Sequence, residues 1–200
     1  MNKEAENKRS PETTDNKLIQ DFLKGKTKAF DKLVVKYQDV IFNLCYRMLG
    51  DYDEANDCAQ KTFIKVYKNV KKFEQKSAFS TWIYRIAVNT CKNVLSSSNY
   101  KRKMKMIHID KPINEDGKML EISDRSFNPD RIFEKNEKQR KIQEAINKLP
   151  HKQKILVILR EIEGKSYEEI SNITGMKLGT VKSKLSRGRI NLRDKLKEVI

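Results

Sequence analysis

Apolar residues recur every three or four positions along most of this chain, and that period limits the possible folds more than any other feature. The clearest run extends from Phe30 to Met48, where the apolar side chains fall on one face of a long helix. No stretch of Val, Ile or Thr alternates with polar residues, and seven Gly and four Pro in 200 residues leave few turns for a sheet. The sequence therefore predicts an all-α fold.

Composition divides the chain into four segments. Residues 1–15 are polar and are expected to form a disordered tail, and residues 16–105 carry four helical stripes that predict a first domain. Residues 106–133 contain two prolines, a glycine and six acidic residues against four basic ones, which predicts a flexible acidic linker. The helical period returns over residues 134–200 and predicts a second small domain.

Capping signals set the expected helix ends in the first domain. Thr27, the segment from Asp51 to Asp53, and Ser80 are expected N-caps, because their side chains accept hydrogen bonds from free backbone N–H groups. Gly50 is expected to end the second helix, since glycine adopts the left-handed conformation at low cost.

The second domain ends in the pattern of a helix-turn-helix. Ser166 is the expected N-cap of its first helix, Gly175 marks the turn, and the second helix starts at about Leu178. The inward face of that second helix comprises Val181, Leu185, Gly188 and Leu192. Its outward face carries the candidate contacts to duplex DNA: Thr180, Lys182, Ser183, Lys184, Ser186, Arg187 and Arg189.

The charge balance indicates a polyanionic partner. The chain has 43 Lys and Arg against 27 Asp and Glu, for a formal charge of +16. One basic run, Lys92 to Lys105, follows the fourth helix, and another covers residues 177–197. A solvated surface explains any single lysine, but two basic runs beside a helix-turn-helix favour binding to nucleic-acid phosphates.

The fourth helix, FSTWIYRIAVNTCKN, places aromatic residues beside cations and amides. Such faces suit unpaired nucleotides, whose bases stack on aromatic rings along a positive track. The candidate contacts to single-stranded DNA are Phe79, Ser80, Trp82, Arg85, Asn89, Lys92 and Asn93. The alternative for Trp82, the only tryptophan, is a place in the core.

Other classes of function find little support. A mean hydropathy of −0.76 and 35% charged residues argue against a membrane protein, and the polar N-terminus lacks a signal peptide, which predicts a cytoplasmic protein. Cys45, Cys58 and Cys91 form no CxxC pair and lie on apolar stripes, so we expect buried free thiols and neither a disulfide nor a metal site. With two His, no carboxylate cluster and no Gly-rich phosphate loop, we expect no catalytic residues, no cofactor and no small-molecule substrate.

Three blocks between roughly Lys17 and Lys197 resemble the sigma-70 family of bacterial RNA polymerase sigma factors, in its extracytoplasmic-function (ECF) group. The blocks are DYDEANDCAQKTFIKVYKNV, FSTWIYRIAVNTCKN and LPHKQKILVILREIEGKSYEEISNITGMKLGTVKSKLSRGRINLRDKL. The resemblance implies an alternative sigma factor that binds core RNA polymerase, opens the −10 promoter element with its first domain and reads the −35 element with its second. Lys61, Asn93 and the segment SSSNYKRK depart from the family pattern.

The resemblance also implies partners and a further site. It places contacts to core polymerase at Asp57, Gln60 and Phe63, and it implies an anti-sigma factor, anchored in the membrane, that holds the chain at the inner membrane face. The alternative from the residues alone is a stand-alone helix-turn-helix regulator, which binds duplex DNA without polymerase. An enzyme acting on nucleic acid is disfavoured by the residue inventory.

Overall fold

Four helices of the first half pack around an apolar core. The computed structural model describes residues 11–98, 100, 102 and 139–197. The four helices are α1 (Pro11–Leu23), α2 (Lys28–Leu49), α3 (Tyr52–Asn69), which continues as a 3-10 turn (Val70–Lys72), and α4 (Phe79–Ser96). Every regular element in the described ranges is helical, which confirms the all-α prediction.

Two of the predicted helix ends in this half form as the sequence indicates, and two differ. Gly50 is left-handed with φ of 76°, and Asp51 accepts a hydrogen bond from the backbone N–H of Glu54 at 3.0 Å. Thr27 precedes α2 but makes no side-chain capping bond. Ser80 is not a cap, because α4 already begins at Phe79, whose buried ring fixes the start of the helix against the core.

Helix α1 begins earlier than the sequence predicted. Residues 11–15 are helical and not part of a tail, since proline is favoured in the first turn of a helix. Asp15 is buried and accepts hydrogen bonds from the Lys36 ammonium at 2.5 Å and the Tyr37 hydroxyl at 2.6 Å. Residues 1–10 and the predicted acidic linker, 106–133, lie outside the described residues.

The second half contains a helix-turn-helix with the predicted ends. Helix α5 (139–147) precedes α6 (His151–Val157), which runs on as a π-helical turn (Ile158–Ile162), and the motif itself is α7 (Tyr167–Thr174) and α8 (Leu178–Lys197). Ser166 and Glu169 form a complete capping box, and Gly175 is left-handed with φ of 72°. These features fix the angle at which α8 leaves the turn.

Helix α8 approaches α6 closely at Gly188. A Cβ atom at this position would lie 3.0 Å from Cγ2 of Val157, and Val181 and Leu185 beside it are fully buried. The inward face that the spacing predicted therefore forms, and a small residue at position 188 permits the approach.

The two halves contact each other through α4 and α7. The Tyr84 hydroxyl donates a hydrogen bond to the Glu163 carboxylate at 2.6 Å, and the Lys165 ammonium lies 4.4 Å from the centre of the Tyr84 ring. Further along, the Gln143 side chain donates to the backbone carbonyl of Arg47 at 3.0 Å. Burial and the Glu163 hydrogen bond raise the pKa of Tyr84, so this phenol stays protonated at neutral pH. One continuous core joins the halves.

Lys154 of α6 gives a test of the packing in the second half. It is buried, donates to the Asn147 side chain at 2.7 Å, and burial lowers the pKa of its ammonium to about 8. Between pH 8 and 10 the unfolded chain keeps a proton that the folded chain loses, so stability should rise with pH, by about 3 kcal/mol at most. The variant K154M should flatten this rise in urea unfolding followed by circular dichroism. The variant K152M, at an exposed neighbouring position, should retain the rise of stability with pH. An unchanged rise in K154M would contradict its attribution to Lys154.

Candidate nucleic-acid interface

The outward face of α8 presents the predicted cations to solvent. Lys182, Ser183, Ser186 and Arg187 are exposed, whereas Thr180 and Lys184, at the flanks, are half-buried. Arg187 forms no ion pair with any residue in the described ranges, and Asp194, a possible partner on the same helix, lies 3.7 Å from Arg193. The guanidinium of Arg187 is therefore available for a ligand in front of the helix.

Arg189 is the one member of this set that the structure engages elsewhere. Its guanidinium contacts the Glu161 carboxylate at 2.8 Å through two nitrogens. The pair is partly exposed, so it contributes little to stability and separates at low cost. The sequence does not indicate this ion pair, because 28 positions separate the two residues.

Two open cavities of about 440 and 350 Å³ adjoin α4, and they share Lys72, Trp82 and Arg85. The larger cavity is also lined by Phe73, Glu74, Lys76, Ser77, Thr81 and Asn172. The smaller cavity is completed by Lys65, Asn69, Ile86 and Asn89. Cations thus flank an indole edge, an arrangement that suits an unstacked nucleotide.

The candidate residues of α4 differ in how the structure places them. Arg85 and Asn89 lie on the surface and line the smaller cavity together with Trp82. Trp82 is only 9% exposed and belongs to the core, as the alternative for this residue held, although it also lines both cavities. Phe79 is 1% exposed and packs edge-on against Tyr37, so its ring is part of the core and offers no free stacking face.

The other candidates on this helix lie outside the cavities. Ser80 is half-buried, Asn93 is exposed one turn beyond Asn89, and Lys92 is half-buried, with burial lowering the pKa of its ammonium. The cations Lys65 and Lys72 at the cavity rim were not predicted from the sequence. The available signal was the segment KKFEQK, which concentrates lysine in the loop before α4.

Helix α3 presents a mixed polar and apolar stripe. Asp57 and Gln60 are exposed as expected, with Asp57 3.7 Å from the Lys61 ammonium, and Phe63 is half-buried against the core. Ile64 and Tyr67 continue the stripe at helical spacing and are 53% and 52% exposed. The Tyr67 ring lies at the rim of the core, with its centre 5.1 Å from that of the Phe30 ring. Two large apolar side chains thus lie exposed beside polar ones on this helix.

No helix in the described part of the chain is long and apolar enough to cross a membrane.

Comparison with protein families gives two matches that together cover most of both halves. The model of sigma-70 region 2 matches residues 33–100, and that of sigma-70 region 4 matches residues 139–192. The first match contains α3, α4 and all the cavity-lining residues except Asn172. The second match contains Asn172 and the helix-turn-helix.

Curated relatives match over nearly their whole length. The RNA polymerase sigma-H factor of Pseudomonas aeruginosa is 36% identical over 88% of this chain and 90% of its own, and the ECF RNA polymerase sigma factor SigW of Bacillus subtilis is 36% identical over 92% and 97%. The ECF RNA polymerase sigma-E factor of Escherichia coli K12 is 35% identical over 96% of this chain and 98% of its own.

Two solved structures share the fold. CnrH, in complex with the cytosolic domain of CnrY, is 19% identical and superposes with a TM-score of 0.65 over 92% of this chain and 98% of its own. The sigma factor RpoE of Bartonella quintana, in complex with the anti-sigma factor NepR, is 24% identical with a TM-score of 0.60 over 85% and 98%.

Proposed function

Because this chain belongs to the ECF group of the sigma-70 family, and is an alternative sigma factor that directs promoter-specific transcription, we propose that its separate surfaces divide that task. In this proposal the outward face of α8 reads the −35 element, the α4 cavities hold the opened −10 strand, and the α3 stripe docks on core RNA polymerase. The observation that carries it is the placement of three distinct exposed surfaces on the two family-matched halves.

Reading of the −35 element rests on the geometry of α8. An arginine held on an exposed helical face donates two hydrogen bonds to O6 and N7 of guanine in the major groove. Arg187 has this exposure and no competing ion pair within the described ranges, and Lys182 and Ser183 lie on the same side. Half-buried Thr180 and Lys184 are placed at the flanks for phosphate contacts, which fix position without reading sequence.

Holding of the −10 strand rests on the cavities along α4. The indole ring of Trp82, which lines both cavities, supplies the stacking surface, while Arg85 and Lys72 supply positive charge for the backbone. A base turned out of the stack needs a pocket of this kind, since unpairing it costs a few kcal/mol that pocket contacts offset. Buried Phe79 takes part by supporting the indole from behind, with their ring centres 5.8 Å apart.

Docking on polymerase rests on the stripe of α3 that contains Asp57, Gln60 and Ile64. Exposed apolar side chains bordered by charged and amide groups are typical of the centre and rim of a protein interface. Phe63, half-buried, positions the stripe from below.

An anti-sigma factor is a further proposed partner. The related CnrH is in complex with the cytosolic domain of CnrY, and the related RpoE of Bartonella quintana is in complex with the anti-sigma factor NepR. For this chain we propose a partner anchored in the membrane that covers the α3 and α4 surfaces in the cytoplasm. The chain itself then acts without catalytic residues, since it directs the chemistry of the polymerase.

Run-off transcription tests the proposed function. Adding the full chain to core polymerase on fragmented genomic DNA should produce discrete transcript starts that share one pair of upstream elements at a fixed spacing. Sequencing of the transcript ends reads both elements at once. Sequence-specific duplex binding by the chain alone, with no new starts and no binding to polymerase, would instead indicate a stand-alone regulator.

Substitution of Arg187 tests the −35 assignment. R187A should weaken holoenzyme binding to a −35 duplex by about 1–3 kcal/mol and relax preference at one base position, because one bidentate contact is lost. Binding to a panel of duplexes with single base changes measures this. R193A, an arginine removal elsewhere on α8, should weaken all duplexes equally or not at all. Equal weakening across the panel in R187A would contradict base reading.

Substitution of Ile64 tests the docking surface. I64A should lower the affinity for core polymerase by on the order of 1 kcal/mol, as expected for loss of an apolar side chain at an interface centre. The side chain is already half exposed, so thermal stability should change little. V35A removes an apolar residue that is 67% exposed on α2 and serves as the matched control. Equal losses in the two variants would place the docking surface elsewhere.

A further inference from the structure

All three cysteines of the chain converge at one point in the core of the first half. Cys45 comes from α2, Cys58 from α3 and Cys91 from α4, and each is fully buried. Their sulfur atoms lie within 4.8 Å of one another, and those of Cys58 and Cys91 are 3.3 Å apart. The thiols are free and buried as the sequence predicts, but their spacing in the chain gave no sign of this cluster.

Packing and disulfide formation explain less of this arrangement than a bound ion does. A free cysteine packs as a small apolar residue, which accounts for the burial of each thiol but not for the meeting of three from three helices. A disulfide joins two sulfurs and leaves the third unused, and fully buried thiols are inert to oxidants in solution. Three converging sulfurs match the ligand set of a thiophilic metal ion.

The charges around the cluster favour a divalent ion. Lys154 of the second half is the only buried cation among the described residues, and its electrostatic interaction with Cys91 opposes the effect of burial on its own pKa. Three thiolates, one divalent ion and one lysine ammonium sum to zero charge, which a buried site requires.

We propose that Cys45, Cys58 and Cys91 form a three-sulfur site for a divalent d10 ion of the zinc and cadmium class, with Lys154 as the balancing cation. Metal–sulfur bonds of about 2.3 Å in a trigonal set place the sulfurs about 4 Å apart, between the shortest separation in the cluster and its upper limit. Binding releases three thiol protons and changes no oxidation state. Since the site is sealed, the ion enters as the helices fold around it.

Refolding with metal tests the site on the full chain. The reduced protein, unfolded in urea and refolded with one equivalent of Cd²⁺ or Zn²⁺, should retain one ion per chain after desalting. The cadmium form should show the thiolate-to-metal absorption of three Cd–S bonds. Each of C45A, C58A and C91A should lower the affinity for Cd²⁺ at least about 100-fold. Loss of a residue that only contacts a metal ligand typically costs about 10–100-fold, so loss of a ligand should cost more.

Substitution of Lys154 distinguishes a charge-balanced metal site from accidental metal binding by cysteine. K154M removes the cation without removing a ligand and should weaken Cd²⁺ binding about 10-fold, whereas K152M should leave it unchanged. Circular dichroism checks the fold of each variant. If the cysteine variants fail to fold, the cadmium absorption of the wild-type chain and the comparison of the two lysine variants still test whether the three-sulfur site exists.

Three outcomes would overturn the proposal: no retained ion after refolding, absorption of only one or two Cd–S bonds, or equal affinity in K154M and K152M. Arsenite serves as a trivalent comparison, because it forms a neutral complex with three thiols and releases water. Retention of arsenite but not cadmium would show that the charge argument for a divalent ion is wrong.

Discussion

Burial of α4 on several sides is the constraint on which the rest of the molecule depends. The helix packs against α2 and α3 in its own half and against α7 of the other, so Ile83, Tyr84, Ala87 and Cys91 are all withdrawn from solvent. The exposed residues of the helix form a narrow line at intervals of three or four positions: Arg85, Asn89, Asn93 and Ser96. The proposed function therefore assigns single-stranded DNA to the side of α4 that is not buried by packing. This side is polar because it faces solvent.

Local signals in the sequence predicted much of this fold. Gly50, the Ser166 cap and Gly175 act through hydrogen bonds and backbone angles within a few residues, so their roles are visible without knowledge of the fold. The inward face of α8 was predictable for the same reason, because helical spacing alone places Val181 and Leu185 together. Ser80 failed as a cap because burial of Phe79, a contact with distant residues, outweighed a local preference.

Features that join distant parts of the chain were beyond sequence reasoning. Tyr84 and Glu163 are 79 positions apart, and the three sulfurs of the cysteine cluster come from three helices. The π-helical turn is another case: its backbone bond from Glu163 N–H to the Ile158 carbonyl carries no residue signature, yet it brings Glu163 to Tyr84. Of the candidate site, the residue types and faces were predictable, whereas the ion pair of Arg189 and the depth of Phe79 required the tertiary structure.

The contact between the halves has an optical consequence. Trp82, the only tryptophan, lies at a cavity whose opposite wall includes Asn172 of α7, so its surroundings are set jointly by the two halves. Moving α7 away from α4 would admit water to the indole edge and shift its emission to longer wavelength, with no other indole to obscure the change. The emission wavelength of Trp82 therefore reports whether the two halves of the molecule are in contact.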